Sequence, residues 1–253
     1  MRAPTLYLAG SLLLAACNIS PVRSRVKVGE EAYLVFVAEG SDQRTDLFVV
    51  PASGGNTARL TFTPVVERSP TLTSRGDMLA FLRIAADSTA GPRGVVVMNM
   101  LNGAERLIEL PDRAGAITQV AWRDDDAALW LRTATGLWTV NAPPAAADAR
   151  LVTGSEAALA DSALGLWVGS PRFARVVACA NGGICVVPPS GDTAQVSPTG
   201  RDPARWGSDS LAWFEGEELF VRSLGRGTPR RVPLRMVNTD PPRHPREVAH
   251  AGS

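Results

Sequence analysis

The stretch Asp46-Leu-Phe-Val-Val-Pro-Ala-Ser-Gly-Gly-Asn-Thr-Ala-Arg-Leu-Thr61 decides the fold. It opens with the apolar run Leu47–Val50, whose β-branched and aromatic residues are typical of a strand. The proline and two glycines that follow are typical of a turn. A second, more polar run then extends from Ala58 to Thr61. This order of apolar run, turn and polar run predicts two paired antiparallel strands.

A pair of apolar runs recurs five times along the chain. The leading runs are Tyr33–Val37, Met78–Leu82, Ala128–Leu131, Arg175–Cys179 and Leu211–Phe214. The runs that follow them are Leu47–Val50, Val95–Met98, Leu137–Val140, Ile184–Val187 and Leu219–Val221. Four units continue into a polar strand, at Ala58–Thr61, Glu105–Ile108, Ala149–Val152 and Arg230–Pro233. The leading runs start 45, 50, 47 and 36 residues apart. A period in the forties with about four short strands per unit predicts a β-propeller.

Two segments carry a resemblance to a known family. Residues 46–61 are similar to the core of the TolB-type, or PD40, propeller repeat, which has a strand, a Gly-containing turn and a closing Arg-Leu-Thr. The next unit opens with Ser69-Pro70 and reaches Gly76-Asp77-Met78-Leu79-Ala80-Phe81, which resembles the family's tight turn and Ile-Ala-Phe strand. Thr73-Ser74-Arg75-Gly76 departs from the family's Ser-Pro-Asp-Gly. The resemblance covers most of residues 31–235 and implies an all-β propeller of four-stranded blades.

The ends of the repeat array set the predicted domain boundaries. We place the propeller at residues 31–237 and count five blades directly, whereas the TolB-like propeller has six. A closing strand is expected from Ser24–Val28 or from Leu234–Val237. Residues 238–253 contain three prolines and few apolar residues. We therefore expect them to form a disordered tail. The sequence is compatible with a ring of five blades and with a ring of six.

The start of the chain resembles a bacterial lipoprotein signal peptide. Arg2 precedes the apolar run Leu6–Leu14, and Leu14-Ala15-Ala16-Cys17 follows the lipobox pattern. The run is too short to cross about 30 Å of hydrocarbon at roughly 1.5 Å per residue. The resemblance implies that residues 1–16 are removed, that Cys17 receives lipid, and that residues 17–30 form a tether. The alternative is an ordinary secretory signal with a chance cysteine.

Cysteine usage agrees with export. Once Cys17 is assigned to lipid, Cys179 and Cys185 remain as a pair that flanks Asn181-Gly182-Gly183. A three-residue loop centred on Gly182 would place the two cysteines opposite each other, within reach of a disulfide. An oxidising compartment favours that bond. The alternatives are two buried free thiols or a metal site.

The composition and the histidines exclude several classes of protein. The 26 basic and 25 acidic residues leave no excess charge of the kind that nucleic-acid binding needs, and 45% hydrophobic residues indicate a globular core. Both histidines, His244 and His250, fall in the expected tail, and no Gly-x-Ser-x-Gly motif occurs. A Ser-His-acid hydrolase and a His-based zinc site are therefore not expected. No catalytic residue, metal site or cofactor is predicted.

The acidic clusters and the tryptophans have structural interpretations. Asp124-Asp125-Asp126 lacks the alternating spacing and glycine of a calcium loop and is interpreted as a solvated hairpin turn. Glu215, Glu217 and Glu218 are interpreted in the same way. The six tryptophans lie within the repeats, where we expect them to pack between blades rather than to form an aromatic binding face. They are Trp122, Trp130, Trp138, Trp167, Trp206 and Trp213.

The sequence therefore predicts a non-enzymatic propeller that is anchored by lipid on Cys17 and binds a protein partner. The anchor places it on the periplasmic side of a membrane or at the cell surface, and Asn18 favours the outer membrane. The partner is expected in the cell envelope or in a larger membrane complex, and its binding residues are not identified. The alternative is a propeller that binds or processes a glycan or small ligand. That alternative requires Asp or Glu from three or more blades to converge on the central channel.

Overall fold

Five four-stranded antiparallel sheets form the body of the computed structural model, which describes residues 26–40, 42–85, 88–168, 174–206, 209–224, 227–237 and 243–251. The first blade and the segment beside it contain β1 Tyr33–Gly40, β2 Thr45–Pro51, β3 Gly55–Asn56 and β4 Ala58–Arg59. The second blade contains β5 Val65–Leu72, β6 Met78–Ala85, β7 Gly94–Asn99 and β8 Glu105–Glu109. The third blade contains β9 Ile117–Trp122, β10 Ala128–Thr133, β11 Gly136–Asn141 and β12 Ala149–Leu151.

The remaining strands complete the ring. The fourth blade contains β13 Trp167–Val168, β14 Ala174–Ala178, β15 Ile184–Val187 and β16 Ala194–Ser197. The fifth blade contains β17 Arg201–Trp206, β18 Ser210–Glu215, β19 Glu218–Ser223 and β20 Arg230–Val232. The last strands are β21 Leu234–Arg235, which pairs in parallel with β3, and β22 Arg243–Ala251. A 3₁₀ turn lies at Asp112–Ala114 and a helix, α1, at Gly154–Leu164. The predicted all-β propeller is confirmed, with five blades in the described part of the chain.

The blades pack because their central strands are apolar on both faces. Side chains alternate between the two faces of a strand. Tyr33 and Val35 therefore enter the core shared by blades one and two, whereas Leu34 and Phe36 enter the core shared by blades one and five. The same division separates Leu211 and Trp213 from their neighbours in β18. The uninterrupted apolar runs in the sequence are thus strands buried on both sides.

The tryptophans follow the predicted packing wherever their burial is described. Trp122, Trp130, Trp138 and Trp213 are buried, and Trp206 is half-buried against the core shared by blades one and five. The indole N–H of Trp122, in the innermost strand of blade three, donates to the carbonyl oxygen of Thr71 in blade two at 3.0 Å. These large side chains hold adjacent blades together rather than forming an exposed aromatic face.

The innermost strand of blade one comes from the end of the sequence. β22 pairs with β1 from Tyr33–Ala251 to Gly40–Arg243, and β1, β2 and β4 then complete the blade. The prediction of a disordered tail at 238–253 is therefore wrong for residues 243–251. Leu234–Val237 does not supply the closing strand, because β21 pairs with β3 instead, and the other candidate, Ser24–Val28, lies partly outside the described residues. β22 forms a strand despite its low apolar content, because the backbone groups at the buried inner edge of β1 must be paired.

Blade three differs from the others on one side. Helix α1 packs against β9, β10 and β11, and its Ala160 and Leu164 form a core with Trp130 and Val152. In the described residues, α1 occupies the position at which the other blades pack sheet against sheet. No helix among those residues is long and apolar enough to cross a bilayer.

Ending the chain after Val237 should prevent the ring from closing. The shortened chain loses the partner of the inner edge of β1, and Leu34 and Phe36 lose part of their cover. We expect no cooperative thermal transition by circular dichroism, because the unpaired inner edge of β1 costs free energy comparable to the roughly 5–15 kcal/mol by which domains are stable. Removal of residues 252–253 alone is the control. A truncated chain that melts like the full one would contradict the closure described above.

Candidate functional site

One end of the ring gathers the polar contacts that hold β22 in place. The innermost strands β5, β17 and β22 all begin at this end, which we call the upper face, and the opposite end is the lower face. The guanidinium of Arg201 in blade five donates to the carbonyl oxygens of Pro245 at 2.9 Å and Gly216 at 2.6 Å. The imidazole Nδ1 of His244 contacts the carboxylate of Glu217. His244 therefore belongs to the folded body and not to a solvated tail, which corrects the sequence interpretation.

A buried carboxylate lies at the centre of the upper side of blade one. Asp46, on β2, is 1% exposed and receives two guanidinium groups. Arg59 Nη2 lies 2.7 Å and Arg243 Nη2 lies 3.2 Å from its Oδ2. A buried charge is tolerated only when it is paired. Asp46 therefore ties the outermost strand, β4, and the innermost strand, β22, to the middle of the same blade.

This ion-pair network contacts an exposed aromatic ring. Phe62 lies in the loop from β4 to β5, which leads to the upper face, and is 68% exposed. The guanidinium carbon of Arg59 lies 4.5 Å from the centroid of its ring. Arg59 is itself fixed by Asp46 and by donation from its Nε to the carbonyl oxygen of Thr61 at 2.8 Å. The exposed ring of Phe62 therefore has one fixed neighbour, the guanidinium of Arg59.

A second buried carboxylate joins blades one and two below Phe62. Glu67, on β5, is fully buried and accepts hydrogen bonds from Arg83 Nη2 at 2.8 Å and from the hydroxyl of Thr61. Arg83 also pairs with Glu105 at 2.7 Å. Burial raises the pKa of the Glu67 carboxyl, and the hydrogen bonds from Thr61 and Arg83 oppose that rise. The loop that carries Phe62 is thus anchored at its base.

Bulges in three neighbouring inner strands line the channel. Ser69, Asp202 and Glu247 have φ angles of 54°, 52° and 41°, in the left-handed region that L-residues rarely adopt. Each lies where the register of its strand shifts against the next strand of the blade. The backbone N–H of Ser69 donates to the carboxylate of Glu247, so these bulges connect β22 to blade two. Backbone strain of this kind persists only where the surroundings fix it.

Burial also perturbs the carboxyl of Glu247. Desolvation raises its pKa, the N–H of Ser69 opposes this, and the neighbouring carboxylate of Asp202 raises it further. Asp202 and Glu247 come from adjacent blades, five and one. The described residues thus bring carboxylates of two blades together at the channel, and they contain no group of three or more His, Cys, Asp or Glu side chains that could hold a metal ion.

Of the three cysteines predicted as site residues, the structure describes two. Cys17 and its tether up to residue 25 lie outside the described residues. Cys179 and Cys185 form the predicted disulfide, with their Cα atoms 5.2 Å apart. The predicted register is wrong, because Cys185 lies opposite Val177 and the two cysteines are diagonal neighbours across the hairpin.

The acidic clusters lie in turns, as predicted. The Asp124–Asp126 run forms the turn between β9 and β10 on the lower face, where Asp125 pairs with Arg123 and Asp126 accepts a hydrogen bond from Ser74 N at 3.1 Å. Glu215, Glu217 and Glu218 surround the turn between β18 and β19. Sequence reasoning missed Phe62, although it lies directly after the Arg-Leu-Thr of the repeat. Its neighbour Arg59 is held by Asp46, which Arg243 also contacts, and only the fold brings these residues together.

Comparisons with known proteins find similar solved structures but do not assign the chain to a family. No family model and no curated protein matches the chain. Among solved structures, TolB from Acinetobacter baumannii matches with a TM-score of 0.44 and 8% identity, over 82% of this chain and 54% of that one. The chain therefore spans about half the length of that protein. Apo AztD from Citrobacter koseri matches with a TM-score of 0.47 and 9% identity, over 87% and 98% of the two chains. A putative TolB from Agrobacterium tumefaciens matches with a TM-score of 0.36 and 8% identity, over 79% and 69%.

Exchanging Glu247 for Gln should change how stability depends on pH. Because the pKa of Glu247 is raised in the folded protein, the folded state binds more protons than the unfolded state as this group titrates. Its contribution to the free energy of unfolding is then present at low pH and is lost as pH rises through the folded-state pKa. We expect the difference in unfolding free energy between wild type and Glu247→Gln to decrease from about pH 4 upward, as measured by urea denaturation. The control is Glu109→Gln, at an exposed position of β8. A difference that does not vary with pH would contradict this account of Glu247.

Proposed function

We propose that this chain is a lipid-anchored, non-enzymatic propeller that binds another protein through its upper face, on the periplasmic side of a membrane or at the cell surface. The observation that carries the proposal is Phe62. Aromatic and arginine side chains dominate the binding energy of protein interfaces, especially where they are held rigid before binding. Phe62 is exposed, and its neighbour Arg59 is held by the buried Asp46.

The proposed tether is consistent with an upper face that points away from the membrane. β1 runs from Tyr33 on the lower face to Gly40 on the upper face, and Val26 is buried in the core between blades one and two. The chain therefore enters the ring from the lower side. From Cys17 to Val26 an extended chain reaches at most about 30 Å. A lipid on Cys17 would hold the lower face close to the bilayer and present Phe62 to partners, at the raised local concentration that tethering provides.

The alternative of a glycan-binding or glycan-processing propeller has narrower support. Its requirement was acidic side chains from at least three blades in the channel. The described residues bring Asp202 and Glu247 together from two blades, and Glu247 is bound to Ser69 N. The exposed ring of Phe62, in contact with Arg59, favours a protein partner more directly.

Replacement of Cys17 by Ala should release the protein from membranes. The wild type is expected in the membrane fraction of the source bacterium, and the Cys17→Ala variant in the soluble fraction, because a lipid supplies the only proposed anchor. Immunoblots of separated fractions make the measurement, and metabolic labelling with a fatty-acid analogue reports the lipid itself. Equal sedimentation of both forms, or an unlabelled wild type, would overturn the anchor.

Replacement of Phe62 by Ala should remove the partner and leave the fold intact. The chain would be purified from native membranes in mild detergent and its companions quantified by mass spectrometry. Loss of a hot-spot side chain costs at least about 2 kcal/mol, so we expect at least about thirtyfold weaker binding of the companion.

The matched control is Leu101→Ala. Leu101 is 41% exposed and lies in the turn between β7 and β8 on the lower face. Both variants should melt like the wild type. A stoichiometric companion that Phe62→Ala retains would exclude the upper face around Phe62, and a wild type that purifies alone would contradict the protein-binding function.

A further inference from the structure

A basic segment, residues 222–237, covers the outer edge of blade five and the adjoining corner of blade one. It contains five arginines and no Asp or Glu, whereas the whole chain has 26 basic and 25 acidic residues. The arginines are Arg222 in β19, Arg226, Arg230 and Arg231 in β20, and Arg235 in β21. The last three are exposed, Arg222 is half-buried, and Arg226 lies outside the described residues. The segment therefore concentrates positive charge in a chain that is otherwise close to neutral.

Little of this charge is neutralised by neighbouring side chains. Among the described carboxylates, only that of Glu218 forms an ion pair with the segment, at 2.9 Å from Arg231 Nη1. The charges of Arg222, Arg230 and Arg235 are therefore available to an external group. An arginine stays charged at every pH at which proteins are folded, and a strip of like charges attracts a partner of opposite sign.

The basic segment lies beside the point at which the chain enters the ring from the lower face. The N–H of Ala52, directly after β2, donates to the carbonyl oxygen of Ala32, directly before β1, at 2.9 Å. In the same turn, the N–H of Gly55 donates to the carbonyl oxygen of Pro233 at 2.8 Å. Gly54 has a φ of 88°, and a Cβ there would lie 2.5 Å from that carbonyl oxygen, so this close approach requires glycine. The segment is thus fixed next to the inner end of the proposed tether.

Acidic groups near this corner do not cancel the charge of the segment. At the entry of the chain, Glu30 and Glu31 are partly offset by Lys27, whose Nζ lies 3.9 Å from Glu30 Oε2. In the lower part of blade five, Asp209 is offset by Arg205 at the end of β17. The acidic turn of blade three lies in a blade that is adjacent to neither blade five nor blade one. The arginines of the segment therefore leave a net positive charge on this part of the surface.

We infer that the basic segment binds the anionic phospholipid headgroups of the bilayer next to the proposed tether. This inference rests on the proposed function, because a lipid on Cys17 is what brings the lower face to the bilayer. A guanidinium group matches a phosphate group with paired hydrogen bonds. A lipid chain and a basic surface together hold a protein on a membrane more firmly than either alone. The segment thus determines which edge of the ring lies against the bilayer.

The test measures binding to vesicles without the anchor. A chain of residues 18–253 keeps every described residue and lacks both Cys17 and the apolar run Leu6–Leu14. We expect it to cosediment with phosphatidylcholine vesicles that contain roughly one third phosphatidylglycerol, and not with vesicles of phosphatidylcholine alone. Raising the salt concentration should release it, because salt screens the attraction between exposed charges.

A double variant locates the binding. Arg230→Gln combined with Arg235→Gln removes two exposed charges of the segment. Each arginine near an anionic surface contributes roughly fivefold to the affinity, so we expect about tenfold to thirtyfold weaker binding. The matched control combines Arg75→Gln with Arg93→Gln, which removes two exposed arginines of blade two and the same total charge. Its affinity should change by less than about twofold, since these charges lie away from the segment. Thermal melting of each chain reports whether it folds.

Three results would each overturn the inference. They are absence of binding to the anionic vesicles, equal binding to both kinds of vesicle, and equal losses of affinity in the two double variants. None of them bears on lipidation of Cys17, which the fatty-acid label tests separately. An unlabelled Cys17 would overturn the anchor and leave the measured affinity for vesicles as it is.

Discussion

The pairing of β1 with β22 is the constraint on which the rest of the structure depends. β1 is buried on both faces, so its inner edge would expose a row of unpaired backbone groups inside the protein. Unpaired buried N–H and C=O groups are costly, and an open sheet edge also invites association with other chains. β22 satisfies that edge, although its own sequence contributes little apolar surface. Ring closure is therefore driven by backbone hydrogen bonds and fixed by the side chains around them.

The side chains that hold β22 and its neighbours in place are mainly charged. Asp46 joins the outermost and innermost strands of blade one, Arg201 reaches from blade five to β22, and Glu67 joins blades one and two. Buried ion pairs add little net stability but impose a specific geometry. Here the same pairs that define how β22 lies in its blade also fix Arg59, the neighbour of Phe62. The closure of the ring and the shape of the upper face thus have one physical origin.

The sequence predicted those strands whose own residues form a clear apolar run. Runs such as Tyr33–Val37 and Leu211–Phe214 are recognisable because they are apolar on both faces, and all five of their kind are second strands of blades. The innermost strands were harder to predict from the sequence. Arg201–Trp206 and Arg243–Ala251 contain charged residues and prolines, and only their neighbours in the ring make them strands. The disulfide was predictable from two cysteines around a glycine turn, but its register was not, because the hairpin is centred on Asn181 and not on Gly182. Phe62 could not be recognised, since its contact Arg59 is held by Asp46, which lies 16 positions before Phe62, and Asp46 is in turn paired with Arg243, 181 positions after Phe62.

The position of β22 also determines when this protein can fold. Tyr33 pairs with Ala251, so the first blade remains incomplete until almost the whole chain is available. Contacts between residues so far apart require a long loop to close first, and proteins rich in such contacts fold slowly. Until then the inner edge of β1 is open and prone to wrong pairing. If the chain is exported unfolded, as the proposed function implies, this delay keeps the ring open until residues 243–251 have also crossed the membrane.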